Sequence, residues 1–163
     1  MIHEAYAYQI VNSPKFYFVY TDKVLLGSIE KKSSFDGAVL FEIKNHHFRL
    51  QPINNKLFVL INVTTSKTFG KITIAGYGPF SKVIFEYNDL VLRWISKSVF
   101  AIHWQWQKDK MVVLETIENF DIGKQTGIIV SSDYFADTDI LIMIGVYLRT
   151  KRNTLFFKSL YLL

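Results

Sequence analysis

The chain has 163 residues, carries 19 lysines and arginines against 14 acids for a net charge of +5, and has no cysteine. A chain of that length suits one domain, residues 1–163, burying roughly 70% of the surface it exposes when unfolded. The missing cysteine excludes disulfides, thiol nucleophiles and Cys-ligated zinc, while an aromatic content of 16%, mostly Phe and Tyr, suits the pleated faces of β-structure.

The first stretch, Glu4–Val11, alternates Tyr6, Tyr8 and Ile10 with Ala5, Ala7 and Gln9, the period-two pattern of a half-buried strand. Asn12-Ser13-Pro14 ends it. Lys15–Thr21 sets Phe16, Phe18 and Tyr20 against Tyr17 and Val19, and Asp22-Lys23 turns the chain into Val24–Glu30 as a hairpin. After polar residues 31–36, Val39, Phe41 and Ile43 alternate, and Lys44-Asn45 turns into His46–Pro52. Lys56–Thr65 is apolar on both faces, which suits a strand covered on both sides; a buried helix is the alternative, and the β-branched residues and flanking turn signals favour the strand. Phe69–Tyr77 sets Ile72 and Ile74 against Lys71 and Thr73, and Gly76-Tyr77-Gly78-Pro79 is a turn. Lys82–Asn88 directs Val83, Phe85 and Tyr87 inward, and Asn88-Asp89 leads into Leu90–Ser96. Val99–Gln107 places Phe100, Ile102, Trp104 and Trp106 on one face with His103 and Gln105 on the other. Lys108-Asp109 turns into Met111–Glu118, and Gly127–Ser131 adds one more strand.

Asp137–Arg152, DTDILIMIGVYLRTKR, differs in kind. The acids at its start cap a helix and suit its positive end, and Arg149, Lys151 and Arg152 suit the negative end. Between them Ile140–Leu148 has no polar face, so a helix there must be buried all round; a strand is the alternative, because Ile140, Ile142, Ile144 and Val146 are β-branched, and the charges at the two ends favour the helix. Gly145 weakens such a helix and marks a close approach to a strand. The fold expectation is therefore mainly β: an antiparallel barrel or meander of about twelve strands enclosing one hydrophobic C-terminal helix, about residues 137–150. The largely apolar residues 154–163 read as a closing strand, with an exposed interaction tail as the alternative.

Three stretches carry a family resemblance. They are the early hairpin FYFVYTDKVLLGSIEKK with VLFEIKNHHFRLQ, the strands around Gly70-Lys71-Ile72 and VFAIHWQWQ, and the late DTDILIMIGVYL. Together they resemble the tubby C-terminal-like superfamily, which includes the LURP-one-related proteins and the phospholipid scramblases. The resemblance implies a 12-stranded barrel around a central helix, and tubby itself binds phosphoinositides through basic residues. The cysteine-rich and calcium-linked segments of the scramblases have no counterpart here, and no lipid-binding motif maps onto this chain residue by residue.

No catalytic motif is present. His46 and His47 are adjacent and point to opposite faces of a strand, which is poor geometry for one metal, and His3 and His103 stand alone. No serine sits in a nucleophile elbow. Glu115 with Glu118, or Asp133, Asp137 and Asp139, are carboxylates that could meet, but helix capping explains the latter group. Residues 70–78 lack the ending of a phosphate loop. Trp104 and Trp106 share a core face, which outweighs a base-stacking role. Asn62-Val63-Thr64 matches a glycosylation sequon inside a strand. The start lacks a secretory signal, and the expected location is cytoplasmic. No catalytic residue, metal ligand or cofactor is expected.

The expected function is a non-catalytic binding or scaffold module engaging anionic lipid headgroups or a protein partner, with nucleic acid less favoured. An enzyme or small-molecule carrier assembled from distant residues is the alternative. The candidate anion-binding residues are Arg149, Lys151, Arg152, Lys71 and Lys82, with Lys31-Lys32, Lys44 and Arg49 also on outward or turn positions. They form a site only if they converge on one rim.

Overall fold

A computed structural model describes residues 4–31, 37–75, 82–97, 103–121, 124–131 and 137–161. Twelve strands precede one helix: β1 Glu4–Asn12, β2 Phe16–Thr21, β3 Val24–Glu30, β4 Val39–Ile43, β5 His46–Pro52, β6 Leu57–Asn62, β7 Lys67–Ala75, β8 Lys82–Tyr87, β9 Leu90–Ser96, β10 His103–Lys108, β11 Met111–Asp121, β12 Lys124–Ser131 and α1 Thr138–Tyr161. Each strand pairs antiparallel with its sequence neighbours, and β1 pairs with β12, so the sheet closes into a barrel. Closure leaves no strand edge free.

Simple alternation places the connections. One rim, here the upper, holds the start of β1, the hairpins β2–β3, β4–β5, β6–β7, β8–β9 and β10–β11, and the start of α1. The lower rim holds the other connections and receives the helix as it leaves. Upper-rim turns are tight because their residues tolerate left-handed backbone. Asp22-Lys23, Asn88-Asp89 and Asp109-Lys110 all have positive φ, from 46° to 69°, the geometry whose twist matches paired strands. The last of these turns lies one residue later than the sequence pattern predicts.

The inward faces follow the alternation. Tyr8 and Ile10, Val39, Phe41 and Ile43, Val83, Phe85 and Tyr87, and Trp104 and Trp106 are all buried. On β2 the Tyr17/Val19 face turns inward, leaving Phe16 and Phe18 to pack against each other outside with centroids 6.0 Å apart. β6 is buried at Leu60 and half-buried at its other positions, so the cover that its double-sided apolar pattern predicts on both faces is only partial. Phe100 and Ile102, the turn at residues 76–79 and His3 lie outside the described residues.

The helix fills the barrel. Every residue from Ile140 to Thr150 is buried, and α1 is tied to the wall by specific contacts. The Trp106 indole Nε1–H donates to the Leu141 carbonyl at 2.9 Å, and the Tyr147 and Phe41 rings meet edge-on at 5.4 Å. A Cβ on Gly145 would lie 2.3 Å from the Trp104 ring, so the glycine does mark a close approach to a strand. The closing-strand reading of the chain's last residues is overturned: the backbone stays helical to Tyr161. With β1 already paired to β12, the barrel has no edge for another strand to join.

Candidate functional site

The barrel sorts charges that look scattered in the sequence. At or beside the upper rim stand Lys23, Lys44, Lys67, Lys108 and Lys110 with Glu4, Asp22, Asp89, Asp109, Asp137 and Asp139, five bases against six acids. At the lower rim, or on α1 beyond it, the backbone places Lys15, Lys31, Lys56, Lys82, Lys97, Lys124, Lys151, Arg152 and Lys158, nine bases against Glu30 and Asp121, with Lys97 paired to Glu115 on the wall. The positive charge of the described residues is therefore concentrated at one end of the barrel. The cause is topological: every second connection returns to the same rim, and the basic residues cluster in alternate connections.

The five candidates from the sequence do not converge as one group. Lys82 opens β8 at the lower rim and is exposed. Lys151 is half-buried there, with its ammonium 5.3 Å from the centre of the Tyr147 ring. Arg152 follows on the same helix. Lys71 sits mid-wall and pairs with Glu86 at 2.8 Å. Lys44 belongs to the opposite rim, where it pairs with Asp139 at 2.6 Å and helps anchor the start of α1. Arg49 lies mid-wall on β5.

Arg149 is withdrawn from any surface site. It is 6% exposed and donates from Nη2 to Glu118 Oε2 at 2.5 Å, inside the barrel. Gly127 makes room for this arrangement. It lies between Tyr8 and Glu118 in the strand register, and a Cβ there would come within 2.6 Å of the Tyr8 ring. The Tyr8 hydroxyl lies close enough to the Glu118 carboxylate to feel its charge, without a regular hydrogen bond among the described residues. Burial first, then the charge of Glu118, pushes the Tyr8 pKa well up, with Arg149 pulling the other way. Neither Glu118 Oε1 nor Arg149 Nε has a hydrogen-bond partner among the described residues. A buried pair so incompletely satisfied adds little net stability, but leaving either charge alone would be costly. Its role is to fix the helix in the barrel.

A second polar group lies on the outer wall. His103 Nε2 is 2.5 Å from Glu115 Oε1, and Lys97 Nζ is 3.3 Å from the same oxygen. Burial raises the Glu115 pKa, but the hydrogen bonds from His103 and Lys97 outweigh it and hold the carboxyl below its usual range. These three side chains largely satisfy one another. His46 and His47 are both exposed at the start of β5. Among the described residues no three His, Asp or Glu side chains group closely enough to hold a metal ion.

Residue-by-residue reading misses Lys15, Lys56, Lys97 and Lys124. Their signal is present only once the strands are assigned and the connections are taken alternately. Among the described residues no helix is long and apolar enough to cross a membrane. No protein-family model, no curated protein and no solved structure matches the chain.

Proposed function

We propose that this protein is a non-catalytic binding module of the tubby-like kind that docks its lower rim on an anionic lipid surface. The concentration of bases at that rim, nine against two acids, carries the reading. The closed barrel of twelve strands around a helix supports the tubby-like part, because it is the architecture the resemblance implies. An interior occupied by the protein's own helix favours an outer-surface ligand over one held inside.

The physics is simple. A surface of anionic lipids attracts nearby Lys and Arg by about 1 kcal/mol each. The attraction fades within a Debye length, about 8–10 Å at physiological salt. Only charges gathered on one face can act together at that range, which is what alternate connections accomplish here. The acidic caps at the upper rim then orient the molecule with α1 pointing at the membrane.

Matched charge reversals test this. Lys15, Lys56 and Lys82 are exposed at the lower rim, and Lys23, Lys67 and Lys110 are exposed at the upper. Converting the lower three to Glu should weaken binding to vesicles of phosphatidylcholine and phosphatidylglycerol by about 100-fold or more at about 0.1 M salt. Converting the upper three should change it by no more than about threefold. Equal effects from the two sets would defeat the proposal.

A further inference from the structure

Much of α1 is longer than the wall that encloses it. Its 24 residues span about 36 Å, whereas tilted strands of this length make a wall of roughly 15–25 Å. Continuous burial ends at Thr150, and the helical backbone runs on to Tyr161 as KRNTLFFKSLY. This overhang leaves from the rim where the bases gather. Its own composition is graded along the axis: Lys151 and Arg152 come first, then Leu155, Phe156 and Phe157, with Leu160 and Tyr161 towards the tip.

That grading matches the layering of a bilayer. The headgroup layer on each side is about 6 Å deep, and Leu155 lies about 7 Å along the helix from Thr150. With the rim resting on the surface, Lys151 and Arg152 occupy the headgroup layer and Leu155–Phe157 reach the acyl boundary. Interfacial helices bury their apolar residues to about that depth, roughly 5–10 Å, by combining apolar area with attraction to anionic lipids. We propose that the overhang of α1 is a shallow lipid anchor, with Phe156 and Phe157 entering the boundary beneath anionic headgroups. The inference rests on the docking reading above. It adds that apolar insertion, and not charge alone, holds the protein in place.

The two contributions separate by salt, because screening weakens surface charge attraction and leaves apolar insertion intact. The full-length protein is floated with phosphatidylcholine–phosphatidylglycerol vesicles at about 0.1 M and about 0.5 M salt. Phe156→Asp/Phe157→Asp should bind about tenfold more weakly than the parent at high salt, where the loss of insertion remains, and at least as much more weakly at low salt, where the new carboxylates are also repelled by the anionic surface. In a second variant, Phe157→Trp, the new indole should be quenched by lipids brominated on their acyl chains, while the three native tryptophans, all within the barrel, stay unquenched in the parent. Unchanged high-salt binding by the double Asp variant overturns the anchor, as does an introduced indole that stays unquenched in vesicle-bound Phe157→Trp protein. A parent dimer that the Asp variant converts to a monomer also overturns it, since a second copy would then cover the overhang. If the parent ignores anionic vesicles entirely, the docking reading falls with it. Sensitivity to the lower-rim lysine reversals without sensitivity at Phe156 and Phe157 removes the anchor alone.

Discussion

Gly145 sits in the middle of α1, where helix propensity alone favours Ala by about 1 kcal/mol. Packing decides the other way. An added Cβ would stand 2.3 Å from two carbons of the Trp104 ring, and that ring is fully buried. Gly145→Ala should therefore lower stability in urea unfolding by about 1–3 kcal/mol despite the better propensity. A gain in stability would mean that α1 does not pack against β10 as described. This glycine is legible in the sequence because it interrupts an otherwise unbroken apolar run. Gly127 is not, since its reason lies in two cross-strand neighbours, Tyr8 and Glu118, that only the register brings together.

At the level of elements, α1 is held at two heights by charge: Lys44 with Asp139 where it enters, and Glu118 with Arg149 deeper down. The second pair is buried and joins α1 to β11. Replacing Arg149 by Ala, or Glu118 by Ala, should each cost about 3–5 kcal/mol in chemical denaturation, because each strands a buried charge. The double change Glu118→Leu/Arg149→Met should cost less than either single change, and a strictly additive loss would show that the two residues do not act as a pair. The strands themselves are legible, since period-two alternation and turn residues mark most of their boundaries. The start of α1 is legible from its acids. Its lower part misleads for a physical reason: Arg149, Lys151 and Arg152 look like one cluster at a helix end, yet Arg149 follows the buried run and meets a carboxylate that points inward from a distant strand. The residues beyond 153 suggest a strand because apolar aromatics favour one, and only barrel closure removes the edge such a strand needs.

On the scale of the whole molecule, the functional candidate is a distribution and not a motif. No pair of neighbouring residues announces the basic rim; it emerges when twelve strands send alternate connections to the same end. The closed core also governs behaviour in alkali. Tyr87 has its pKa pushed up from 10.0 to about 12, by burial and then by Asp137. Burial likewise raises Tyr8 and Tyr147. The folded protein thus holds these phenolic protons more tightly than the unfolded chain does. The stability they contribute is complete below pH 10 and is lost as pH climbs from 10 towards 12 and beyond. Stability should fall steeply across that window, with phenolate absorbance at these tyrosines rising together with unfolding. Full tyrosine ionisation while the near-ultraviolet circular dichroism stays native would contradict the packing described for Tyr8, Tyr87 and Tyr147.

The order of elements along the chain has a consequence for biosynthesis. All twelve strands precede α1, so the ribosome delivers the wall before the residues that fill it. A nascent chain reaching Ser131 has every strand in place but none of the side chains of Ile140–Leu148 to pack around. Its inward faces are apolar and uncovered, the condition in which partly made proteins aggregate. The helix thus acts as the closing step for the barrel: its core is completed only after Ile140–Leu148 clear the ribosome, and until then the nascent wall depends on chaperones or on speed.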